Sequence, residues 1–161
     1  MKIDTYLTFK LDDESFAINV EKVLSILEYT KITKVPNSPS YLKGAINLRG
    51  KVLPVIDLRI RFGLAPITIT KNTVILVVIL ELDGSITQLG ILVDAVHEVL
   101  EINDEMIMPT VTIGTRYKSE YINGLISHND AFLMLIDLET VFTTEETNIL
   151  ASNIENITTE L

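Results

Sequence analysis

Two consecutive segments decide how this chain reads: Tyr41-Leu-Lys-Gly-Ala-Ile-Asn-Leu-Arg-Gly50 and Lys51-Val-Leu-Pro-Val-Ile-Asp-Leu-Arg-Ile-Arg-Phe62. Gly44 to Leu48 and Lys51 to Ile56 read as the arms of a β-hairpin with Arg49-Gly50 at its tip. Tight hairpin tips need positive φ and favour Asn, Asp or Gly, so an arginine there is an unusual choice. Pro54 cannot donate a ladder hydrogen bond, so its strand must have a free side or a bulge at that point. Asp57 follows the strand and precedes Leu58, Ile60 and Phe62, the pattern of a helix N-cap, with Gly63 ending a short helix.

The same pattern returns 80 residues later without a gap. Tyr41, Gly44, Ile46 and Ile56 fall on Tyr121, Gly124, Ile126 and Ile136, and Asp57, Leu58 and Phe62 fall on Asp137, Leu138 and Phe142. A weaker match at a shift of 71 to 73 places Leu11-Asp12 on Leu82-Asp83, and Ile18, Val20 and Val23 on Ile91, Val93 and Val96. Two halves of about five short strands each point to tandem small β-barrels. The expected subdomains are 1–66 and 73–142, with 67–72 as the linker. Further strands are expected over Tyr6–Leu11, Ser15–Ile18, Thr73–Leu82, Gln88–Val93 and His97–Ile102. Val20 to Leu27 is open: Val20, Val23, Leu24 and Leu27 fit a short helix face, while Ile26 to Tyr29 fits the start of a strand. Ser38 or Ser40 could cap a helical turn through Tyr41 and Lys43, and Pro109–Lys118 reads as a loop. A C-terminal helix is expected over about 144–156, with Ile149, Leu150 and Ile154 on one face.

Composition narrows the function. An apolar content of 47 % in 161 residues can bury a sizeable core, and a formal charge of −9 argues against nucleic-acid binding. There are no cysteines, so no disulfides or thiol chemistry. The most apolar run, Val74 to Leu80, is too short to span a bilayer, so a cytoplasmic protein without direct membrane insertion is expected. His97 and His128 are far apart in sequence and lack clustered acids, which speaks against a metal. Asp57 and Asp137 fit helix caps better than a catalytic carboxylate pair. No glycine-rich phosphate loop or activated nucleophile is visible, so no catalytic residue, cofactor or metal is expected. Binding surface remains. Lys43, Arg49, Lys51, Arg59 and Arg61 form a basic cluster in an acidic chain, and the tip equivalent to Arg49-Gly50 is a plain Asn129-Asp130. Arg49, Lys51, Arg59 and Arg61 correspond to Asn129, Ala131, Glu139 and Val141, so a function located here would lie in what the first copy adds.

The run Gly44-Ala-Ile-Asn-Leu-Arg-Gly50 with Pro54-Val-Ile-Asp-Leu-Arg-Ile-Arg-Phe62 resembles the signature of the CheW family, the adaptor proteins of bacterial chemotaxis. The resemblance extends from the Tyr6 strand to the C-terminal helix. It implies a mainly β fold of two five-stranded SH3-like barrels around a shared hydrophobic core. It also implies a non-catalytic scaffold that couples the cytoplasmic tips of chemoreceptors to the regulatory domain of the histidine kinase CheA. That regulatory domain has the same fold, and assembly into array rings follows as a further expectation. By position, Asn47, Arg49 and Gly44 match family residues tied to receptor and kinase coupling, with Lys43, Gly50 and Arg59 beside them. Val23, Ile26 and Val93 match positions that line a groove for the receptor helical hairpin, although plain core is an equal reading of these aliphatics. Many relatives have an acid just after the groove valine; here Ser25 stands there, with Glu28 further on. The equivalent adaptor of a twitching-motility array is an alternative within the family, and a small-molecule-binding β-barrel is one outside it.

Overall fold

The computed structural model describes residues 2–82, 84–109, 121–142 and 146. The strands in chain order are β1 (Ile3–Leu11), β2 (Glu14–Asn19), β3 (Val23–Glu28), β4 (Leu42–Leu48) and β5 (Lys51–Asp57). They continue with β6 (Val74–Leu82), β7 (Ser85–Val93), β8 (Ala95–Asn103), β9 (Ile122–His128) and β10 (Ala131–Ile136). Two four-residue helices, α1 (Leu58–Arg61) and α2 (Leu138–Val141), follow β5 and β10. The stretch left open between helix and strand resolves into both: Val20–Lys22 is a 3-10 turn capped by Asn19, and β3 begins at Val23. The helical turn expected through Lys43 does not reach it: a single turn closes from the Leu42 N–H to the Pro39 carbonyl, and Leu42 then opens β4, whose pairing with β5 takes over. The C-terminal helix expected over about 144–156 lies outside the described residues except for Glu146.

Two five-stranded sheets form, in the orders β8-β1-β2-β10-β9 and β3-β6-β7-β5-β4. In both, one parallel contact joins two antiparallel groups: β2 with β10, and β5 with β7. Isolated bridges extend the edges, Met108 to Leu125 in the first sheet and Thr33 to Ala45 in the second. The fold is mainly β, as expected, but the division is not tandem. The second sheet runs unbroken from Val23 to Val93, whereas the first takes β1 and β2 from the start of the chain and β8, β9 and β10 from the end. The split at 66/73 therefore does not separate the barrels. Segment 67–72 joins β5 and β6 of one sheet, and its Ile67 is buried in that barrel's interior. In terms of the repeat, the opening hairpin of each copy pairs with the last three strands of the other. A sequence repeat shows which strands are alike; pairing depends on contacts distant along the chain, which similarity does not report.

Strand alternation sorts the apolar residues into three clusters. Ala17, Ile102, Ile126, Leu133 and Leu135 fill the first barrel. Ile46, Leu53, Val55, Ile75, Val77 and Leu92 fill the second, with Ile67. The largest cluster draws on both sheets, with Leu7, Phe9, Phe16 and Ile18 from one and Leu76, Val78, Leu89 and Ile91 from the other. This is the shared core, and the repeated aromatics belong to it. Tyr41 packs on Phe142 with centroids 6.2 Å apart, and Phe62 on Tyr121 at 5.8 Å. Pro54 fits without cost: the parallel pairing of β5 with β7 begins only at Val55.

Candidate functional site

The hairpin of β4 and β5 turns through Arg49 (φ +52°) and Gly50 (φ +83°), both in the left-handed region that a tight two-residue hairpin demands. Asn129 (φ +50°) and Asp130 (φ +62°) do the same in the second copy. Asn47 holds the turn, its Oδ1 accepting from the Gly50 N–H at 2.9 Å. Arg49 is exposed and makes no ion pair or hydrogen bond among the described residues, and Lys51 beside it is exposed as well. Lys43, half-buried, is the extra residue of a β-bulge, since Leu42 pairs with Ile56 and Gly44 already with Val55. Gly44 is buried against the connection between β3 and β4: a Cβ added there would land on the Thr33 carbonyl.

The expected basic cluster divides. Arg59 turns away from the tip, and its side chain is only 15 % exposed. Its Nη1 donates to Asp94 Oδ2 at 2.9 Å, its Nε donates to the Ala65 carbonyl at 2.8 Å, and Asp12 lies 3.8 Å from its Nη2. Asp94 also accepts from the Asp12 N–H, so Arg59 ties the β1–β2 turn, the crossing at Asp94 and α1 together. Such a guanidinium is committed to the fold, and the expectation that Arg59 belongs to a docking surface gives way to this placement. Arg61 is likewise mostly covered. It lies over the rings of Tyr41, Tyr121 and Phe142 at 5.4, 5.9 and 5.7 Å, donates twice to the Val141 carbonyl and pairs with Glu146. Burial pushes the Tyr41 phenol above its ordinary range; Glu146 adds to this and Arg61 opposes it. Lys22 Nζ donates to Glu139 in α2, and that hydrogen bond raises the Lys22 ammonium above the usual lysine range.

The expected groove residues also separate. Along the edge strand β3 the side chains alternate, with Leu24, Ile26 and Glu28 facing solvent and Val23, Ser25 and Leu27 half-buried. Leu24 and Ile26 are 47 % and 48 % exposed, a two-residue apolar stripe on an edge strand. Val23 packs against the shared core, and Val93 is completely buried within it, so Val93 lines no surface. Leu24 was missed in the sequence, where it counted toward a helix face; period-two alternation from Val23 onward was the available signal.

The two histidines are not isolated. A β-bulge in β8 and the β9–β10 hairpin bring His97 and His128 to one cleft at the mouth of the first barrel, with Glu98 between the strands. His128 Nε2 lies 2.9 Å from Glu98 Oε1. Among the described residues, no three metal-ligating side chains converge. Asp57 and Asp137 act as helix caps, each accepting from the N–H two residues on. No helix among the described residues is long and apolar enough to cross a membrane.

Comparison with known proteins agrees with this geometry. Residues 5–146 match the family described as CheW-like domain. The chemotaxis protein CheW of Klebsiella aerogenes is 35 % identical over 141 residues, spanning 88 % of this chain and 82 % of that protein. A probable chemotaxis protein CheW of Rhizobium etli is 36 % identical over 140 residues, spanning 87 % and 88 %. The crystal structure of the scaffolding protein TtCheW from Thermoanaerobacter tengcongensis superposes with a TM-score of 0.79 at 31 % identity, covering 91 % of this chain and 92 % of that one.

Proposed function

This chain belongs to the CheW-like domain family of chemotaxis scaffolds, and from that premise we propose that it couples chemoreceptor tips to the kinase CheA. It does so in the cytoplasm, at membrane-associated receptor arrays and without a chemical step. One observation carries the reading. The first hairpin tip holds Arg49 in a left-handed conformation with an exposed, unengaged side chain, where the second copy uses Asn129. A non-glycine residue in that conformation is tolerated rather than favoured, and Asn is better suited to it. An arginine kept there against local preference serves something outside the fold. Its five donors suit carboxylates on a partner. The exposed pair Leu24 and Ile26 on β3 offers an apolar strip of the kind that accepts an amphipathic helix, here the receptor hairpin.

The test is Arg49→Asn in co-purification with the CheA regulatory domain and a receptor signalling fragment. Stability of the variant should equal or exceed that of the parent by up to about 1 kcal/mol, because Asn fits the turn. Complex formation should fall and lose much of its salt dependence, since an exposed cationic contact is screened by salt. Undiminished assembly of the folded variant would remove Arg49 from the interface. Failure of the parent to bind either partner would overturn the coupling role itself.

A further inference from the structure

The mouth of the first barrel is a cleft of about 390 Å³ to which all five of its strands contribute. That volume falls within the range of small-molecule sites, and barrel mouths are a recurrent location for them. Its construction starts from the bulge. Leu7 pairs with Val99 and Phe9 with Val96, so Thr8 alone opposes both His97 and Glu98. The buried Thr8 hydroxyl donates to the Glu98 carbonyl and accepts from the Glu98 N–H, each at 3.0 Å, which satisfies the backbone groups the bulge would strand. The Glu98 backbone is thereby fixed at the mouth, and its side chain, 50 % exposed, opens from there. Its Oε1 meets His128 from the opposite edge strand, and its Oε2 has no partner among the described residues. Leu133 forms an apolar floor, and Phe132, 48 % exposed, an apolar wall. Among the described residues no Lys or Arg lines the cleft, so Glu98 is its fixed charge.

The second copy shows that the architecture does not require this polarity. By the same shifts, His97, Glu98 and His128 correspond to Leu24, Ser25 and Leu48. At those positions the second copy carries two leucines and a serine, so the carboxylate and its imidazole partner are an addition of the first barrel alone.

We propose that the mouth of the first barrel binds a small organic cation, an amidinium or ammonium head on a compact apolar body. Glu98 is its counter-ion, its backbone anchored by Thr8 and its carboxylate met by His128, and Phe132 and Leu133 receive the apolar part. A planar amidinium matches a carboxylate fork, and a ring beside Phe132 adds apolar contact. The excess of acidic residues over the whole chain favours a cation further.

Benzamidine is the probe, followed by amide chemical shifts on the full chain, with benzoate and benzyl alcohol as anionic and neutral matches. Saturable binding with Kd on the order of 1 mM is expected for a ligand of this size. The shifts should be confined to residues around Thr8, Ser15, Glu98 and His128 to Leu133. Glu98→Gln, nearly isosteric, should weaken binding at least about tenfold, as loss of a charged hydrogen bond does, while leaving the rest of the spectrum unchanged. Phe132→Ala should weaken it by a smaller factor. The proposal is overturned by absence of saturation at about ten times that concentration, by equal binding of benzoate or benzyl alcohol, or by full binding to folded Glu98→Gln.

Discussion

Replacing Gly44 with alanine tests whether this residue belongs to a docking surface or to the fold. Its φ of +152° is one that side-chain-bearing residues rarely adopt. The added methyl would meet the carbonyl of Thr33 and the Cγ2 of Ile32, and a backbone carbonyl cannot rotate away. The bridge there consists of Thr33 N–H to Ala45 O at 2.9 Å and Ala45 N–H to Thr33 O at 2.8 Å. Opening it forfeits two hydrogen bonds at about 1 kcal/mol each, and the strained backbone adds about 1–3 kcal/mol, for a total of about 3–5 kcal/mol. Against a domain stability of about 5–15 kcal/mol, that removes a large fraction. Urea unfolding should report it as a lowered midpoint. Gly50→Ala is the control: its φ of +83° carries conformational strain, but nothing lies within 4 Å of the added atom, so about 1–2 kcal/mol is expected. Gly124→Ala should fall between them: its φ lies outside the left-handed region, but the added atom meets the Ile107 side chain and, at 3.0 Å, the Met108 carbonyl. A Gly44→Ala protein as stable as Gly50→Ala would refute this account. If that same folded protein failed to bind CheA, Gly44 would be returned to the interface.

Arg61→Met should lower stability by about 3 kcal/mol, the combined loss of ring contacts and of charged bonds to the Val141 carbonyl, read by thermal unfolding. Asp57→Asn should cost more than Asp137→Asn. Asp57 is completely buried and accepts from both Arg59 N–H and Ile67 N–H, while Asp137 is half-buried and among the described residues its side chain accepts from Glu139 N–H, so a difference of about 1 kcal/mol is expected in paired denaturation curves. Lys22 gains a partner on folding, which raises its folded-state pKa. Its contribution is therefore fully present below the unfolded lysine value of about 10.4 and is lost as pH rises through the folded value. With both side chains partly exposed, the advantage over Lys22→Met should be only about 0.5 kcal/mol at neutral pH and low salt. It should vanish in strong alkali, and Glu139→Gln should abolish it at every pH.

Much of the fold was legible because local chemistry specifies it. Asp57 and Asp137 could be read as caps from their place between strand and apolar helix, and both act so. The hairpin tips follow from Arg49-Gly50 and Asn129-Asp130. What stayed hidden depends on contacts distant in sequence. Arg59 and Arg61 looked like neighbours of Arg49 because they are near it in the chain. A helix turn after β5 points them inward, to Asp94 and to the Val141 carbonyl. The histidines looked isolated because β8 and β9 are separated in sequence and become neighbours only when the first sheet curls. Val93 and Ile26 are both aliphatic strand residues, and composition cannot tell a buried face from an exposed one without knowing which strand lies at an edge.

The exchange of opening hairpins bears directly on how a displacement of one barrel reaches the other. Because β1 and β2 pair with β8 and β10, and β6 and β7 with β3 and β5, neither barrel is complete without strands from both copies of the repeat. The chain crosses between sheets at Val20–Lys22 and at Asp94, and side-chain ties hold both crossings: Lys22 to Glu139, and Asp94 to Arg59. Between them, Tyr41, Phe62, Tyr121 and Phe142 close the shared core under Arg61. A close-packed interior transmits strain rather than absorbing it. A partner that displaces β3 or the Arg49 tip therefore acts on the second barrel, and through the shared core and the two crossings on the first. In this geometry the repeated residues supply the rigid body and the unrepeated ones its differences. Arg49 and Lys51 face outward at one mouth, Glu98 and His128 at the other, and Arg59 and Arg61 lock the two barrels to each other.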